Sequence, residues 1–303
     1  MTLAPKLLST LALLAAGMAV HAAPIQTPAP APARHFDVKV VGHGKPVLLI
    51  PGLTCNGNVW DATVARLKTR YECHVLTLPG FGGQPVMAGP FLEPIRDEIV
   101  AYVRERHLDH PAIIGHSLGG FLGFSLESKA PDLFGPLVAV DGVPWLMALF
   151  DPKATIEGTR PSVEAMRKAM IAGNATPDGF RNGTRASLAS QIKSPKEAEA
   201  ILKDSARSDP ATVMNAMSEM MLTDLRPSNA RITAPVLLLA AGDWAKTPEQ
   251  RTMLTRAYEA QVAGVKTARV VPFWEARHFI MFDAPERFYG EVEDFLAKSW
   301  PKR

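Results

Sequence analysis

Short apolar runs punctuate the chain between residues 36 and 273, and most of them end at a glycine, a proline or a polar residue. Continuous apolar runs are typical of strands that are buried on both faces of a parallel sheet. The first run alternates instead (Phe36, Val38, Val40), which indicates an outer antiparallel strand. The predicted strands cover residues 36–41, 47–50, 74–78, 112–114, 137–140, 236–240 and 268–272.

Between these runs, apolar residues recur at helical spacing. Trp60, Val64, Leu67 and Tyr71 follow the pattern i, i+4, i+7, i+11, and similar patterns begin near residues 95 and 288. Strands that alternate with helices predict an α/β fold with a mostly parallel sheet, flanked by helices and joined by right-handed crossovers. Functional groups in such sheets collect at the carboxyl ends of the strands.

One segment interrupts this alternation. Residues 144–231 contain no strand-like run, and helix starts are signalled at Ser194-Pro195 and Asp209-Pro210. We therefore predict a helical cap at 144–231, inserted into a core formed by residues 36–143 and 232–303. Methionine is flexible, so a methionine-rich face suits either an adaptable binding surface or simple packing of the cap on the core. The cap methionines of this kind are Met214, Met217, Met220 and Met221.

The N-terminal segment has the pattern of a secretory signal peptide. Lys6 precedes a charge-free run from Leu7 to Val20, which is too short to span a bilayer about 30 Å thick. We predict a signal peptide at residues 1–22, cleavage after Ala22, a Pro/Ala-rich linker at 23–35 and a secreted or periplasmic protein; an uncleaved anchor is the alternative. No later apolar stretch is long enough to span a membrane, so no stable membrane insertion of the mature chain is expected.

Composition and charge narrow the class of protein. The 303 residues are 47% hydrophobic and 21% charged, which is typical of a folded protein and excludes a disordered chain. The formal net charge is +3, and no long block of like charge occurs, so no nucleic-acid partner is predicted. The expected partner is a small-molecule substrate, and the oligomeric state is left open.

The pentapeptide Gly115-His116-Ser117-Leu118-Gly119 is the main chemical signal. A buried strand is predicted before it and a helix after it. A serine in a sharp strand-to-helix turn needs neighbours without side chains, and the turn raises its hydroxyl above the sheet at a helix N-terminus. Ser117 is therefore the candidate nucleophile.

A serine needs a base to become nucleophilic near neutral pH, and the base needs a carboxylate that orients it. Of the eight histidines, His278 is placed by chain order in a loop after the last strand. Asp243 follows the strand at 236–240, and Asp141 follows the strand at 137–140, so both reach the same sheet edge. We take Asp243 as the carboxylate and keep Asp141 as the alternative.

The oxyanion of the tetrahedral intermediate needs preorganised N–H donors. The backbone N–H of Leu118 directly follows the nucleophile, and that of Leu53 lies in the turn after the strand at 47–50; these two are the predicted donors. No Cys/His group has zinc spacing, and no dinucleotide fingerprint occurs, so neither a metal nor an organic cofactor is expected. Cys55 and Cys73 fall at opposite ends of neighbouring strands, about 16 Å apart, too far for a disulfide.

These motifs, in this order, resemble the α/β-hydrolase fold superfamily, in particular its cap-containing, esterase-like members with a serine nucleophile. The resemblance covers residues 36–143 and 232–303, and Pro51 stands where relatives often have histidine. A serine nucleophile disagrees with epoxide hydrolases and haloalkane dehalogenases, which need a carboxylate nucleophile. The matching motifs are Pro51-Gly52-Leu53, Gly115-His116-Ser117-Leu118-Gly119-Gly120, Gly242-Asp243 and Arg277-His278-Phe279.

The resulting expectation is a carboxylesterase-like serine hydrolase that cleaves a small, apolar ester or related acyl compound through an acyl-enzyme. The same residues also serve acyltransferases, amidases, lactonases, peroxide-forming enzymes and carbon–carbon hydrolases, because substrate choice lies in the cap. A non-catalytic ligand-binding protein on the same fold and a lyase are the alternatives from other classes.

Overall fold

The sheet has seven strands, in the order β1-β3-β2-β4-β5-β6-β7, in a computed structural model that describes residues 34–173 and 176–300. Only β1 is antiparallel, paired with β3 at one edge, and the other neighbouring strands are parallel. The strands are β1 (Asp37–Gly42), β2 (Lys45–Ile50), β3 (Tyr71–Thr77), β4 (Ala112–His116), β5 (Leu137–Val140), β6 (Val236–Ala241) and β7 (Ala268–Phe273). The predicted fold class and the antiparallel edge strand are confirmed. The predicted signal peptide and all but the last two linker residues lie outside the described residues.

Helices cover both faces of this sheet. The core helices are α1 (Asp61–Leu67), α2 (Leu92–Glu105), α3 (Leu118–Lys129), α9 (Pro248–Gln261), α10 (Ile280–Asp283) and α11 (Pro285–Ser299). Successive residues of β2 point to opposite faces: Leu48 packs in one apolar layer and Leu49 in the other. One layer includes α2, α3 and α9, and the other includes α1 and α11. Burial on both faces explains why the central strands β4, β5 and β6 are almost continuous apolar runs.

Five helices and a 3-10 helix (Arg226–Arg231) lie between β5 and β6, and we call residues 144–231 the cap. Ser194 and Asp209 begin two of these helices by accepting hydrogen bonds from the N–H groups of Glu197 and Thr212 at 3.3 and 2.7 Å. In both helices proline follows the capping residue. The cap helices are α4 (Met147–Phe150), α5 (Ile156–Gly173), α6 (Pro177–Gln191), α7 (Pro195–Ser205) and α8 (Pro210–Met221).

Four of the cap helices form two pairs, α5 with α8 and α6 with α7, and each pair is attached to the core separately. The Glu219 carboxylate of α8 accepts the N–H groups of Phe91 and Leu92 at 2.9 and 2.8 Å, at the start of α2. A carboxylate is favourable there because the helix N-terminus carries partial positive charge. At the other pair, the Phe279 N–H donates to the Gln191 carbonyl at 3.3 Å. The cap therefore contacts the core on two sides of the sheet edge that carries Ser117.

Both cysteines are free and buried. Cys73 pairs with Val47 in the strand register, whereas Cys55 lies beyond the end of β2. Burial raises the pKa of Cys55 to about 12 and that of Cys73 to about 11. Both side chains are thiols rather than reactive thiolates near neutral pH.

No helix within residues 34–173 and 176–300 combines the length and the apolar character that crossing a bilayer would need.

Candidate active site

Ser117 occupies a sharp turn between β4 and α3. Its backbone has φ 53° and ψ −115°, a conformation that costs energy for a residue with a side chain. A Cβ added to Gly115 would overlap the Gly119 carbonyl, and one added to Gly119 would overlap the Ile50 carbonyl. The glycines are therefore required by backbone contact, and the turn has the geometry predicted for a nucleophile elbow.

His278 lies in the loop between β7 and α10, and its Nδ1 is 2.6 Å from Oδ2 of Asp141. Asp141 directly follows β5. Ser117, Asp141 and His278 line one pocket at the carboxyl edge of the sheet. The hydrogen bonds of the described chain do not include one between the Ser117 hydroxyl and His278. Such a contact is often long in the absence of substrate. The three residues are therefore grouped by the pocket that they share and by their positions after parallel strands.

The structure contradicts the prediction that Asp243 orients His278. The Asp243 carboxylate instead lies 2.9 Å from Lys193 Nζ, 3.0 Å from Lys246 Nζ and 3.5 Å from Arg277 Nε. Hydrogen bonds from Lys193 and Lys246, with their positive charges, lower the pKa of Asp243 to about 2. Both aspartates reach the same sheet edge, as predicted, but the side chain of Asp243 is directed to these cations, and Asp141 contacts the imidazole.

Three donors surround the Asp141 carboxylate, whose side chain is 9% exposed. Besides His278, Oδ1 accepts the Tyr258 hydroxyl at 2.6 Å and the Ala241 N–H at 2.9 Å. Burial by itself raises the pKa of Asp141, but the hydrogen bond and charge of His278 and the donors Tyr258 and Ala241 outweigh it, and the net pKa is below its usual value. Asp141 is therefore ionised near neutral pH.

Tyr258 is a site residue that the sequence did not reveal. It lies on α9, and burial, followed by the charge of Asp141, raises its pKa well above the usual value. The phenol therefore stays protonated and remains a donor to Asp141. A tyrosine in an ordinary helical pattern gives no sign of this contact, because the contact depends on how α9 packs against the end of β5.

His116 contacts the loop that carries His278, between β7 and α10, which we call the histidine loop. Its Nε2 is 3.2 Å from the His278 carbonyl oxygen, and its ring lies 4.6 Å from the His278 ring and 4.4 Å from that of Phe279, centroid to centroid. Burial lowers the pKa of His116 well below its usual value. The neutral ring must donate from Nε2, since a carbonyl oxygen only accepts. Among the described residues its buried Nδ1 has no partner.

The two predicted oxyanion donors lie beside the elbow. Leu53 lines the pocket, and Leu118 is the first residue of α3. A Cβ on Gly52 would lie 3.1 Å from Cβ of Ser117, so the loop before Leu53 packs directly on the nucleophile turn. The hydrogen bonds described for this part of the chain use neither the Leu53 nor the Leu118 amide; Leu53 lines the pocket, whereas Leu118 is fully buried and is not among the lining residues.

The pocket has a volume of about 1950 Å³ and lies between the sheet edge, the cap helices and α9. Of the four methionines between residues 214 and 221, Met217 and Met220 line the pocket, whereas Met214 is buried outside the lining. The methionine face is therefore partly pocket wall and partly packing. No group of three or more His, Cys, Asp or Glu side chains that could hold a metal occurs between residues 34 and 300 where the chain is described.

Curated relatives of the chain are esterases. The Nitrosomonas europaea pimeloyl-[acyl-carrier protein] methyl ester esterase is 23% identical over 260 residues, covering 84% of this chain and 96% of the relative. The Neisseria meningitidis serogroup A enzyme of that name is 28% identical, covering 83% and 77%. The Aeromonas hydrophila enzyme is 33% identical over 142 residues, but the chain spans only about half of its length, 52%.

Solved structures share the fold at low sequence identity. The Bacillus anthracis bromoperoxidase has a TM-score of 0.70 at 18% identity, covering 87% of this chain and 95% of that one. The Burkholderia xenovorans enol-lactonase has a TM-score of 0.69 at 19% identity, covering 87% and 96%. The model of the alpha/beta hydrolase family matches residues 47–291, which is most of the chain. The chain therefore belongs to the alpha/beta hydrolase family.

Proposed function

We propose that this protein is a carboxylesterase-like serine hydrolase in which Ser117 is the nucleophile, His278 the base and Asp141 the carboxylate. The observation that carries the proposal is the contact of 2.6 Å between His278 and Asp141, on the pocket that also exposes the Ser117 turn. A serine on a strained turn, a histidine and an ionised carboxylate are what nucleophilic acyl transfer needs.

The reaction proceeds through an acyl-enzyme. Ser117 Oγ attacks the ester carbonyl carbon while His278 Nε2 accepts its proton, and Asp141 stabilises the resulting imidazolium. The oxyanion receives hydrogen bonds from the N–H groups of Leu53 and Leu118. Collapse breaks the bond to the alcohol, which leaves with the proton from His278. Water then attacks the acyl-enzyme, gives a proton to His278, and the released Ser117 recovers that proton as the carboxylic acid departs.

Ester chemistry is favoured over the other reactions of this fold by the curated relatives, whose names specify a methyl ester. Their acyl-carrier substrate is a property of those proteins; for this chain we propose an ester with an apolar group, because apolar residues dominate the pocket wall. An acyltransferase would use the same acyl-enzyme with another acceptor in place of water.

The direct test is hydrolysis of p-nitrophenyl butyrate by the purified protein and by Ser117→Ala, together with labelling by a fluorophosphonate. We expect turnover and a label on Ser117 in the first protein, and neither in the variant. A folded protein that binds the ester without turnover and is not labelled would contradict the proposal and favour a ligand-binding protein. Release of p-nitrophenol that persists in the folded Ser117→Ala variant would contradict Ser117 as the nucleophile.

We also propose that the protein is exported to the periplasm or secreted. The charge-free run from Leu7 to Val20 and the small residues before Ala23 support this. N-terminal sequencing of the protein recovered from its source should begin at Ala23, and an intact Met1 in a cytoplasmic fraction would contradict export.

A further inference from the structure

The mouth of the pocket has an apolar rim. Among the described residues, six large hydrophobic side chains are exposed: Val40, Val86, Phe150, Ile171, Trp244 and Met253. Three of them border the pocket of Ser117, namely Phe150 at 76% exposure, Trp244 at 53% and Met253 at 58%. Exposed apolar residues scattered singly are ordinary, but three at the opening of one pocket suggest contact with a ligand.

The apolar wall is continuous from the catalytic centre to this rim. Tyr258, which touches Asp141, and Met253 both lie on α9, about 7.5 Å apart along the helix axis at the usual rise per residue. Ala257 lies between them on the pocket wall. Leu146 and Leu149 also line the pocket and lead to Phe150 at the end of α4, which packs on α9.

The size and charge of the pocket limit the kind of ligand. Its volume of about 1950 Å³ exceeds the roughly 300–1000 Å³ typical of small-molecule sites. The charged residues of its lining are three carboxylates and three guanidinium groups, so the lining has no net charge that would attract a ligand with a charged chain end. These residues are Asp141, Asp243, Glu249, Arg226, Arg256 and Arg277.

We propose that the enzyme is selective for esters with a long, unbranched apolar chain, whose far end contacts Phe150, Trp244 and Met253. The proposal rests on the proposed esterase function and replaces the expectation of a small substrate. The chain belongs to either the acyl or the alcohol part of the ester, since the rim would recognise both in the same way. Each buried methylene is expected to raise kcat/KM roughly fourfold until the chain reaches the rim.

Two series of esters distinguish a long chain in the acyl part from one in the alcohol part. p-Nitrophenyl esters from butyrate to laurate lengthen the acyl chain, and alkyl butyrates from butyl to dodecyl lengthen the alcohol, with all substrates below their aggregation concentrations. We expect kcat/KM to rise with chain length in one series. Flat or falling values from four carbons upward in both series would overturn the proposal while leaving the esterase function intact. Both series are then repeated above the aggregation concentrations; a rise that appears only there would also overturn the proposal, because the rim would then contact a lipid aggregate.

A variant of the rim residues, compared with a matched control, tests where the apolar chain of the ester lies. In Trp244→Ser/Met253→Ser, the ratio of kcat/KM for the twelve-carbon and four-carbon esters should fall about fifteenfold, the loss of roughly two methylene contacts at about fourfold each. Val86 is equally exposed, at 60%, and lies outside the pocket, so Val86→Ser should keep the original ratio. An unchanged ratio in the rim variant would contradict the proposed position of the chain.

Binding to the Ser117→Ala protein gives a measurement that does not depend on turnover. Laurate (chain in the acyl part) or 1-dodecanol (chain in the alcohol part) should change the tryptophan fluorescence and bind at least tenfold more tightly than butyrate or 1-butanol, and the fluorescence change should be lost in Trp244→Phe. If long and short ligands bind equally in both pairs, and if a fluorophosphonate labels the protein that retains Ser117, the long-chain proposal alone is rejected. Absence of labelling and turnover would reject the esterase function separately.

Discussion

The imidazole of His278 and the carboxylate of Asp141 are 2.6 Å apart, although 137 residues separate them in the chain. The contact joins a loop after β7 to the end of β5, across the intervening strand β6. Asp243, which follows β6, is nearer to His278 in sequence but is held by Lys193 and Lys246. The two aspartates thus have different environments, and this difference predicts different responses to mutation.

Replacing each aspartate by asparagine should separate their roles. Asp141→Asn removes the charge that stabilises the imidazolium, so kcat should fall by about 10³-fold or more. Asp243→Asn only weakens contacts to surface cations, and kcat should change less than about tenfold. Steady-state kinetics with p-nitrophenyl butyrate measures both, with circular dichroism as the control for folding. The opposite order of effects would identify Asp243 as the catalytic carboxylate.

Tyr258→Phe should lower kcat by about tenfold with little change in KM, because it removes a hydrogen bond to a charged group and leaves the pocket shape. The loss of this donor also raises the pKa of Asp141, since the hydrogen bond stabilises its ionised form. The part of the acid-side loss of activity that comes from protonation of Asp141 should therefore begin at a higher pH in the variant than in the wild type.

The dependence of kcat on pH distinguishes a role of Tyr258 in positioning Asp141 from a role in packing alone. A purely structural role for Tyr258 would lower stability or raise KM and leave the acid side of the profile unchanged. Such a result would remove Tyr258 from the catalytic arrangement.

His116 should make stability depend on pH. Its folded-state pKa is depressed by burial, so below about pH 6.5 the unfolded chain binds a proton that the folded chain does not, and stability falls as pH decreases. The slope contributed by one such histidine approaches about 1.4 kcal/mol per pH unit. His74 has a depressed pKa and acts in the same sense, whereas Glu127, with a pKa raised by burial, acts in the opposite sense.

The variant His116→Gln isolates the contribution of this residue. Urea unfolding at pH 7.0 and pH 5.0 should give a smaller loss of stability in the variant than in the wild type. An equal loss in the two proteins would show that His116 is protonated in the folded state.

Two glycine-to-alanine substitutions should have opposite effects. Gly119→Ala places a Cβ against the Ile50 carbonyl, and backbone cannot yield as a side chain can, so we expect a loss of at least about 3 kcal/mol or failure to fold. Gly290 lies in α11, and an added Cβ would meet no atom within 4 Å beyond the backbone of its own helix, so Gly290→Ala should stabilise the protein by about 0.5–1 kcal/mol. Thermal unfolding measures both, and tolerance of Gly119→Ala would mean that the elbow is less tightly packed than described.

Much of the fold could be predicted from local patterns. Each apolar run became a strand, because a strand buried on both faces must be apolar along its whole length. The glycines around Ser117 marked the turn, because only glycine permits the backbone approach found there. Ser194 and Asp209 marked helix starts, because a cap acts within three residues of its own position.

Such local patterns did not predict contacts between elements that are distant in the sequence. The sequence placed Asp141 and Asp243 at one sheet edge but could not say which side chain turns to His278, because that depends on packing and on cations from the cap and the histidine loop. Nor could it show that Tyr258 of α9 reaches Asp141. Secondary structure and the elbow follow from interactions between near neighbours in the chain, whereas the partner of the histidine and the shape of the pocket arise only when the helices pack on the sheet.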